Sequence, residues 1–305
     1  MPSPGREHQV GKSGILLFFI VIAGLLGGTV SQTQATVLQP HALNTFDFSY
    51  VENIFGPDGK KKGITDLAPG DQLIGIITVN RIVAEGHTVF ASSPTSQLSG
   101  IYAHKVLYAL PPGVSYAPHL LTTYGHVEFG SPELGSFSDG STEFDLAKFL
   151  APGEMFSLWL DQGSTATTYT TSVSLAEGVA RATDGTPFIS FGLGDSGYFY
   201  GHTFPSVTAD LQIGNAFSGL EVLTNATGLN LAPIPNPDDL ERGVATPISI
   251  TCNLAINPEA FYNASPWALA GTGTAEVYPA PEPSTFALFG AAGVVVALWR
   301  PRKRS

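Results

Sequence analysis

Three residues that could bind a metal lie close together in the sequence: His119, His126 and Glu128. Side chains two positions apart on a β-strand project from the same face, so His126 and Glu128 would point the same way. Histidine and carboxylate side chains are both ligands for zinc. The spacing matches no established zinc pattern, however, and the sequence therefore favours surface histidines over a metal site.

Several acidic residues next to turn-forming residues could bind calcium, which takes six to eight oxygen ligands. The sequence contains no EF-hand loop and no nonapeptide calcium repeat, so solvated loop carboxylates are the favoured interpretation. No cofactor is predicted, and calcium is the one metal ion that stays open. The residues concerned are Asp58 beside Gly59, Asp195, Asp210, Asp238 and Asp239.

One serine has the local sequence of a nucleophile. The stretch Gly194-Asp195-Ser196-Gly197 resembles the serine motif of chymotrypsin-like proteases, but Tyr198 and Phe199 follow it instead of Gly and Pro. A serine nucleophile also needs a base and an orienting acid, and the sequence offers no such set. We interpret the stretch as a tight turn between two strands.

Two other enzymatic chemistries have equally little support. Hydrolysis of glycosidic bonds requires paired carboxylates, and although Glu128 could pair with Glu143 or Asp145, nothing in the sequence selects them. The single cysteine, Cys252, cannot form an internal disulfide and is interpreted as a buried bystander. We therefore predict that the protein is not an enzyme.

Aromatic side chains could instead form a platform for sugar rings, because their flat apolar faces serve interfaces as well as cores. Trp159 lies in the apolar run Phe156-Ser-Leu-Trp-Leu160, which is more typical of a core. The candidates are Trp159, Trp267, Tyr102, Tyr108 and Tyr116.

The elements that would position these residues are predicted to be β-strands. Charged residues make up only 13% of the chain, while 34 glycines and 23 prolines separate short apolar, β-branched or aromatic runs. This pattern predicts an all-β mature domain, an antiparallel β-sandwich or jelly-roll-like fold. The predicted strands are Thr45–Val51, Gln72–Val83, Gly100–Leu110, Leu120–Phe129, Met155–Leu160, Thr167–Leu175, Pro187–Phe191, Tyr198–Phe204, Val207–Ile213, Ala245–Ile256 and Trp267–Tyr278.

Helices are predicted to be few and short. Ser141–Leu150 has a capping serine and apolar residues at helical spacing, and Pro237–Gly243 begins with acidic residues and ends at a glycine. Residues 36–280 contain 8 Lys+Arg and 23 Asp+Glu, a net charge of −15. Such an acidic surface repels phosphates, so nucleic acid is excluded as a partner.

The N-terminus has the pattern of a secretory signal peptide over residues 1–35. Arg6 and Lys12 precede the apolar segment Ile15–Gly28, and Thr33-Gln34-Ala35 is a small-x-small cleavage site for signal peptidase, with cleavage after Ala35. An uncleaved anchor is the alternative. We expect the mature domain over residues 36–270, followed by a spacer of small residues and proline over residues 271–280.

The C-terminus, residues 281–305, has three parts. Pro281-Glu282-Pro283-Ser284-Thr285 cannot join a helix because of its prolines, so we expect it to be extended and exposed. The uncharged apolar run Phe286–Trp299 follows, 14 residues that as a helix would be short for a bilayer. Residues 300–305 close the chain with four basic side chains that should stay cytoplasmic: Arg300, Arg302, Lys303 and Arg304.

This tail resembles the PEP-CTERM sorting signal, and Pro281-Glu282-Pro283 matches its three-residue signature. The resemblance covers only the tail. It implies a Gram-negative, polysaccharide-producing host, an inner-membrane stage through the short C-terminal transmembrane helix, and processing by a membrane enzyme called exosortase. It also implies release to the envelope, cell surface or extracellular matrix. A permanent single-span anchor is the alternative.

Three functional hypotheses follow from the sequence. The first is a non-enzymatic envelope or biofilm-matrix protein with a structural or adhesive role among exopolysaccharides. The second is a carbohydrate-binding module with loop calcium, and the third is an extracellular hydrolase.

Overall fold

The computed structural model describes residues 37–63, 67–110, 125–163, 174–203, 212–235, 244–256 and 266–280. The predicted signal peptide, its cleavage position at Ala35, and the sorting tail from Pro281 lie outside these ranges, as do His119, Tyr116, Asp210, Asp238, Asp239 and the helix predicted over Pro237–Gly243. Within the same ranges, no helix has the length and apolarity needed to cross a membrane.

The described part of the chain is built almost entirely from β-strands, with one α-helix, α1 (Leu175–Ala182), and a 3-10 turn at Leu146–Lys148. The strands, numbered in chain order, are β1 Asn44–Phe55, β2 Lys61–Lys62, β3 Gln72–Ala84, β4 His87–Ala91, β5 Ser96–Leu110, β6 Gly125–Gly130, β7 Ser136–Ser138, β8 Glu143–Asp145, β9 Glu154–Gln162, β10 Thr186–Gly192, β11 Tyr198–Thr203, β12 Gln212–Asn225, β13 Asn230–Ala232, β14 Ile234–Pro235, β15 Ala245–Thr246, β16 Ile248–Ile256 and β17 Leu269–Ala280.

Eight of these strands close into a barrel-like antiparallel sheet. The hydrogen-bonded order is β5-β6-β11-β12-β16-β17-β1-β3, and β3 pairs in turn with β5. The long strands β5 and β12 each pair with two different strands along the same edge. β9 pairs with the first half of β5 and β10 with the last part of β12, whereas β6 and β11 pair with the remaining parts.

Side-chain alternation along β1 separates an inner from an outer face, as period-two strands require. Phe46, Phe48 and Tyr50 are buried inside the closed sheet, whereas the intervening Thr45, Asp47 and Ser49 are only partly buried. Inward side chains from the other strands join the three aromatic residues in one large apolar cluster. This cluster is the main core of the domain.

A second apolar cluster covers the outer face of β3 and β5. Ile74 and Ile76 of β3 point outward and pack with α1, which contributes Leu175 and Val179. The helix begins at a capping Ser174, whose side chain accepts a hydrogen bond of 3.2 Å from the Glu177 amide. Because β3 is buried on both faces, its sequence is a nearly continuous apolar run rather than an alternating one.

The antiparallel all-β prediction is confirmed. The described strands pair as one barrel-like sheet, and the sandwich or jelly-roll arrangement stays a prediction. The spacer predicted over residues 271–280 is wrong. These residues belong to β17, which is paired with β1 on one side and β16 on the other. The overlapping strand prediction, Trp267–Tyr278, describes this segment correctly.

Two local predictions also need correction. Ser141–Leu150 does not form one helix, because β8 and the 3-10 turn at Leu146–Lys148 occupy it. Leu175 does not end a strand but begins α1. Asp145 caps the 3-10 turn, with its carboxylate accepting a 3.1 Å hydrogen bond from the Ala147 amide.

Closure of the sheet depends on glycine where β3 meets β5. Gly75 lies opposite Tyr102, and a Cβ atom there would overlap the Val51 carbonyl oxygen and the Tyr102 hydroxyl.

We expect Gly75→Ala to lower the free energy of unfolding by about 1–3 kcal/mol through overpacking, measured by urea denaturation. Gly135→Ala is the matched control, because nothing lies within 4 Å of its Cβ position. Equal stability of the two variants would contradict this account.

Candidate functional site

The outer face of the closed sheet carries a groove of about 540 Å³ where β3, β1, β17, β16 and β12 lie side by side. This volume is in the range of ligand-binding pockets. The polar side chains that line it come from all five strands and are Asp47, Asn80, Arg81, Asn215, Thr251, Asn253, Thr272 and Thr274.

Strand register sets these side chains in two cross-strand rows. Asn215 lies opposite Asn253, which lies opposite Thr272, which in turn lies opposite Ser49. The neighbouring row runs from Thr251 through Thr274 to Asp47. Directly opposed side chains on antiparallel strands have Cβ atoms about 4.5–5.5 Å apart. The groove therefore offers closely spaced hydroxyl, amide and carboxylate groups along two lines.

The charges in the groove are already paired, while some of its amide groups are not. Arg81 donates to Asp47, and the side-chain oxygen of Asn253 accepts two 3.1 Å hydrogen bonds from the amide and the hydroxyl of Thr272. Among the described residues, neither the Asn253 side-chain nitrogen nor the Asn215 side-chain amide has a hydrogen-bond partner. Both are exposed. The groove can therefore donate and accept hydrogen bonds without carrying a net local charge.

Behind this wall, the interior contains a small cavity of about 60 Å³. Apolar side chains form most of its lining, but five of its lining residues carry polar or titratable groups. These are Tyr50, Glu52, Tyr102, His104 and Cys252.

Glu52 is the buried acid of this interior, with 2% of its surface exposed. Burial raises the pKa of its carboxyl to about 7, although a 2.7 Å hydrogen bond donated by the Tyr102 hydroxyl lowers it in part. Burial, with the Glu52 charge nearby, also raises the pKa of Tyr102 well above its usual value. The pair is therefore a neutral phenol donating to a carboxyl group that titrates near neutrality.

His104 is the buried base of the same interior. Its ring stacks on Tyr102 with centroids 5.7 Å apart and meets Phe129 and Phe199 edge-on at 4.5 and 4.7 Å. Burial lowers the pKa of its imidazole to about 3, so the ring is neutral at ordinary pH. Among the described residues its Nδ1 has no hydrogen-bond partner.

Cys252 is partly buried, and burial raises the pKa of its thiol to about 12, which disfavours the reactive thiolate. The neighbouring Tyr50 hydroxyl donates a 2.6 Å hydrogen bond to the Asn253 carbonyl, which links the interior to the grooved wall.

The remaining predicted chemistries do not assemble into a site. Gly194–Gly197 forms the turn between β10 and β11, and Ser196 donates to the Glu221 carboxylate rather than to a histidine. Asp58 accepts a 3.1 Å hydrogen bond from the Lys60 amide within a turn, and Glu143 is exposed on β8. In the ranges that the structure describes, no three His, Cys, Asp or Glu side chains are placed to share a metal ion.

His126 is not a surface histidine, since only 3% of its surface is exposed. Its Nε2 lies 3.6 Å from the Glu128 carboxylate, and its ring stacks on Tyr200 with centroids 5.6 Å apart. His202, which the sequence did not single out, lies opposite His126 on β11, with ring centroids 5.7 Å apart. Only the register between β6 and β11 brings these two histidines together.

The predicted aromatic platform is wrong for two of its members. Trp267 and Tyr102 are buried, with 2% and 3% of their surfaces exposed, and Trp159 packs partly buried against the second cluster. Tyr108 on β5 is exposed. The polar groove, which was not predicted, is therefore the better candidate for a binding surface.

Glu52 and His104 predict opposite pH effects on stability. Glu52 binds its proton more tightly in the folded state (pKa about 7 against an ordinary 4.5), so its contribution to stability falls as pH rises through this interval. His104 binds its proton less tightly when folded (about 3 against 6.5), so stability rises with pH across that interval. The two effects oppose each other between pH 4.5 and 6.5.

Removing either group should expose the effect of the other. We expect Glu52→Gln to make the unfolding free energy rise with pH between 4.5 and 6.5, by up to about 1.4 kcal/mol per pH unit relative to the parent. His104→Phe should make it fall over the same range. Urea denaturation at several pH values measures both, with the exposed Glu143→Gln as control. Parallel profiles for all four proteins would refute the assignment.

The comparison with protein-family models identifies the tail of the chain. The family model for the PEP-CTERM protein-sorting motif matches residues 279–303, which confirms the resemblance seen in the sequence. The motif implies an exported protein sorted to the cell envelope by exosortase, a membrane enzyme. No curated protein matches the chain.

Proposed function

We propose that this chain is a non-enzymatic protein of the cell envelope or extracellular matrix, and that its outer groove associates with polysaccharide. The observation that carries the proposal is the double row of hydroxyl and amide side chains across β1, β17, β16 and β12. A polysaccharide presents hydroxyl groups that both donate and accept hydrogen bonds. The exposed amides of Asn215 and Asn253 can meet both needs.

The charge of the domain favours a neutral polymer over an anionic one. Residues 36–280 carry a net charge of −15, which repels uronic acid or sulfate groups at a distance. Arg81, the one cation that lines the groove in the part of the chain that the structure describes, is paired with Asp47, so it adds little attraction for anions.

The small number of carboxylates among the described lining residues of the groove supports a non-enzymatic role. Asp47 is the one acidic side chain that lines it within the described residues, and it is engaged by Arg81. Glycoside hydrolysis generally uses two carboxyl groups about 5–10 Å apart. The described lining of the groove thus offers hydrogen-bond donors for binding and contains one carboxylate rather than the two that hydrolysis would use.

The two ends of the chain complete the proposal. Signal peptidase would remove residues 1–35 after Ala35. The apolar run Phe286–Trp299 and the basic end from Arg300 would then hold the chain in the inner membrane of a Gram-negative cell until exosortase acts at the motif Pro281–Thr285. The released domain would serve a structural or adhesive role in exopolysaccharide or biofilm.

Binding to polysaccharide tests the role of the groove. We expect the mature protein to be retained on a neutral glucan, and the double variant Asn215→Ala, Asn253→Ala to bind roughly tenfold more weakly, because each lost hydrogen bond costs about 0.5–1.5 kcal/mol. Asn230→Ala, an exposed asparagine on β13, is the matched control and should bind like the parent.

Two further conditions sharpen the test. Binding to the neutral polymer should change little with salt. Binding to a uronic-acid polymer should be weaker at low salt than at high salt, because salt screens the repulsion between the acidic domain and the anionic polymer. A chelator should have no effect, and a strong loss of binding on chelation would favour the calcium-dependent module instead. Parent-like binding by the double variant, or no retention of the parent, would defeat the groove proposal.

A further inference from the structure

We infer that the cavity inside the barrel-like sheet is a binding site for a small organic ammonium cation of the size of methylammonium. The inference is independent of the proposed function, because the cavity lies on the inner face of the sheet and the polar groove on the outer face. It rests on the aromatic rings of the cavity wall, on a buried carboxyl group and on an acceptor nitrogen.

Aromatic rings form much of the cavity wall. A cation is attracted to the face of an aromatic ring, most strongly where water is excluded, and cages of several rings are a known means of binding ammonium groups. The rings come from β1, β5, β9, β11 and β6, and each has its centroid between 4.8 and 6.2 Å from the centroid of the next. In order of contact they are Phe48, Tyr50, Tyr102, Phe156, Phe199 and Phe129.

Glu52 supplies the negative charge that pairs with such a cation. Its carboxyl group is buried, and one of its oxygens accepts the hydrogen bond from the Tyr102 hydroxyl. Among the described residues its other oxygen has no hydrogen-bond partner, and no Lys or Arg side chain lines the cavity. A buried charge is costly unless an opposite charge lies beside it, so an ammonium group in the cavity would compensate the Glu52 carboxylate.

His104 adds a second acceptor. Only 4% of its surface is exposed, and its Nδ1 has no hydrogen-bond partner among the described residues. In the neutral tautomer that carries its proton on Nε2, Nδ1 accepts a hydrogen bond. Glu52 and His104 both contact Tyr102, one at its hydroxyl and the other at its ring face. An ammonium group has several N–H donors, so it can satisfy a carboxylate oxygen and the imidazole nitrogen together.

The volume of the cavity limits the size of the cation. A cavity of about 150 Å³ accommodates benzene, whereas this one measures about 60 Å³. A cation of very few non-hydrogen atoms, such as methylammonium, meets this limit, and tetramethylammonium exceeds it. Because most of the lining side chains are buried, the cation must enter and leave through local opening of the sheet.

The charge of Glu52 sets the pH dependence of binding. Burial raises the pKa of its carboxyl to about 7, so the carboxylate that binds the cation predominates above this pH. An alkylammonium ion, like the lysine side chain, stays protonated up to about pH 10. Affinity scales with the ionised fraction of Glu52, so it should be about tenfold lower at about pH 6 than at about pH 8.

The other titratable groups of the cavity lining keep their charge over the same pH range. Burial raises the pKa of the Tyr50 and Tyr102 hydroxyls above the usual value and that of the Cys252 thiol to about 12. Burial lowers the pKa of His104 to about 3. The lining residues contributed by β3, β6, β9, β11 and β12 are uncharged. The pH dependence is therefore that of Glu52.

Calorimetric titration of the full-length chain with methylammonium chloride tests the site, with sodium chloride at equal concentration as the reference. We expect methylammonium to bind at about pH 8 with the tenfold loss at about pH 6, and tetramethylammonium to bind at least tenfold more weakly. Glu52→Gln keeps the shape of the side chain and removes its charge, so it should lower the affinity at least tenfold. The exposed Glu143→Gln changes the net charge equally and should bind like the parent.

Three results would overturn the inference. The first is no methylammonium binding beyond the sodium chloride reference at about pH 8. The second is equal binding by Glu52→Gln and Glu143→Gln, which would assign the effect to general attraction by the acidic domain. The third is an affinity that does not change with pH. If Glu52→Gln does not fold, the comparisons of pH and of cation size in the parent protein still decide. Retention on polysaccharide is a separate measurement, so the groove proposal stands or fails without this one.

Discussion

The interior of this domain depends on the hydrogen bond that Tyr102 donates to Glu52. The carboxyl group is buried, and a buried acid without a partner would cost several kcal/mol. The same tyrosine stacks between His104 and Phe156 and fills the space that Gly75 leaves open. Since Gly75 and Tyr102 are directly opposed on β3 and β5, the contact that satisfies the acid is also one that closes the sheet.

Closure determines where the polar groove lies. Once Phe48 and Tyr50 face the interior, the alternation of β1 places Asp47 and Ser49 outside. The pairing partners of β1 extend this outer set across β17 to β16, so the rows of the groove follow from the packing of the core. A shift of one residue in the register of β17 would send Thr272 and Thr274 inward. The proposed binding surface is therefore only as well defined as the aromatic packing behind it.

The elements that depend on local sequence patterns could be predicted from the sequence. The features that depend on the pairing register between distant strands could not. β3 was predicted almost to the residue, because Ile74 and Ile76 on one face and Ile77 and Val79 on the other make a continuous apolar run. The segment with Gly271 and Gly273 has the composition of a flexible spacer. Glycine is required at both positions because the Tyr50 ring lies against Gly271 and the Phe48 ring against Gly273. These aromatic residues are more than two hundred positions away in the sequence. The groove was missed for the same reason, since Asp47, Asn215 and Asn253 come together only through strand order.

The place of β17 in the chain ties folding to export. This strand lies between β1, the first described strand, and β16, so the sheet cannot close until residues up to Ala280 are present. Contacts between such distant segments also form slowly, because the entropy of closing the loop must be met first. The sorting motif at residues 279–303 begins where this strand ends. The strand that completes the sheet is thus the last of the described strands in the chain, and the sorting motif follows it directly.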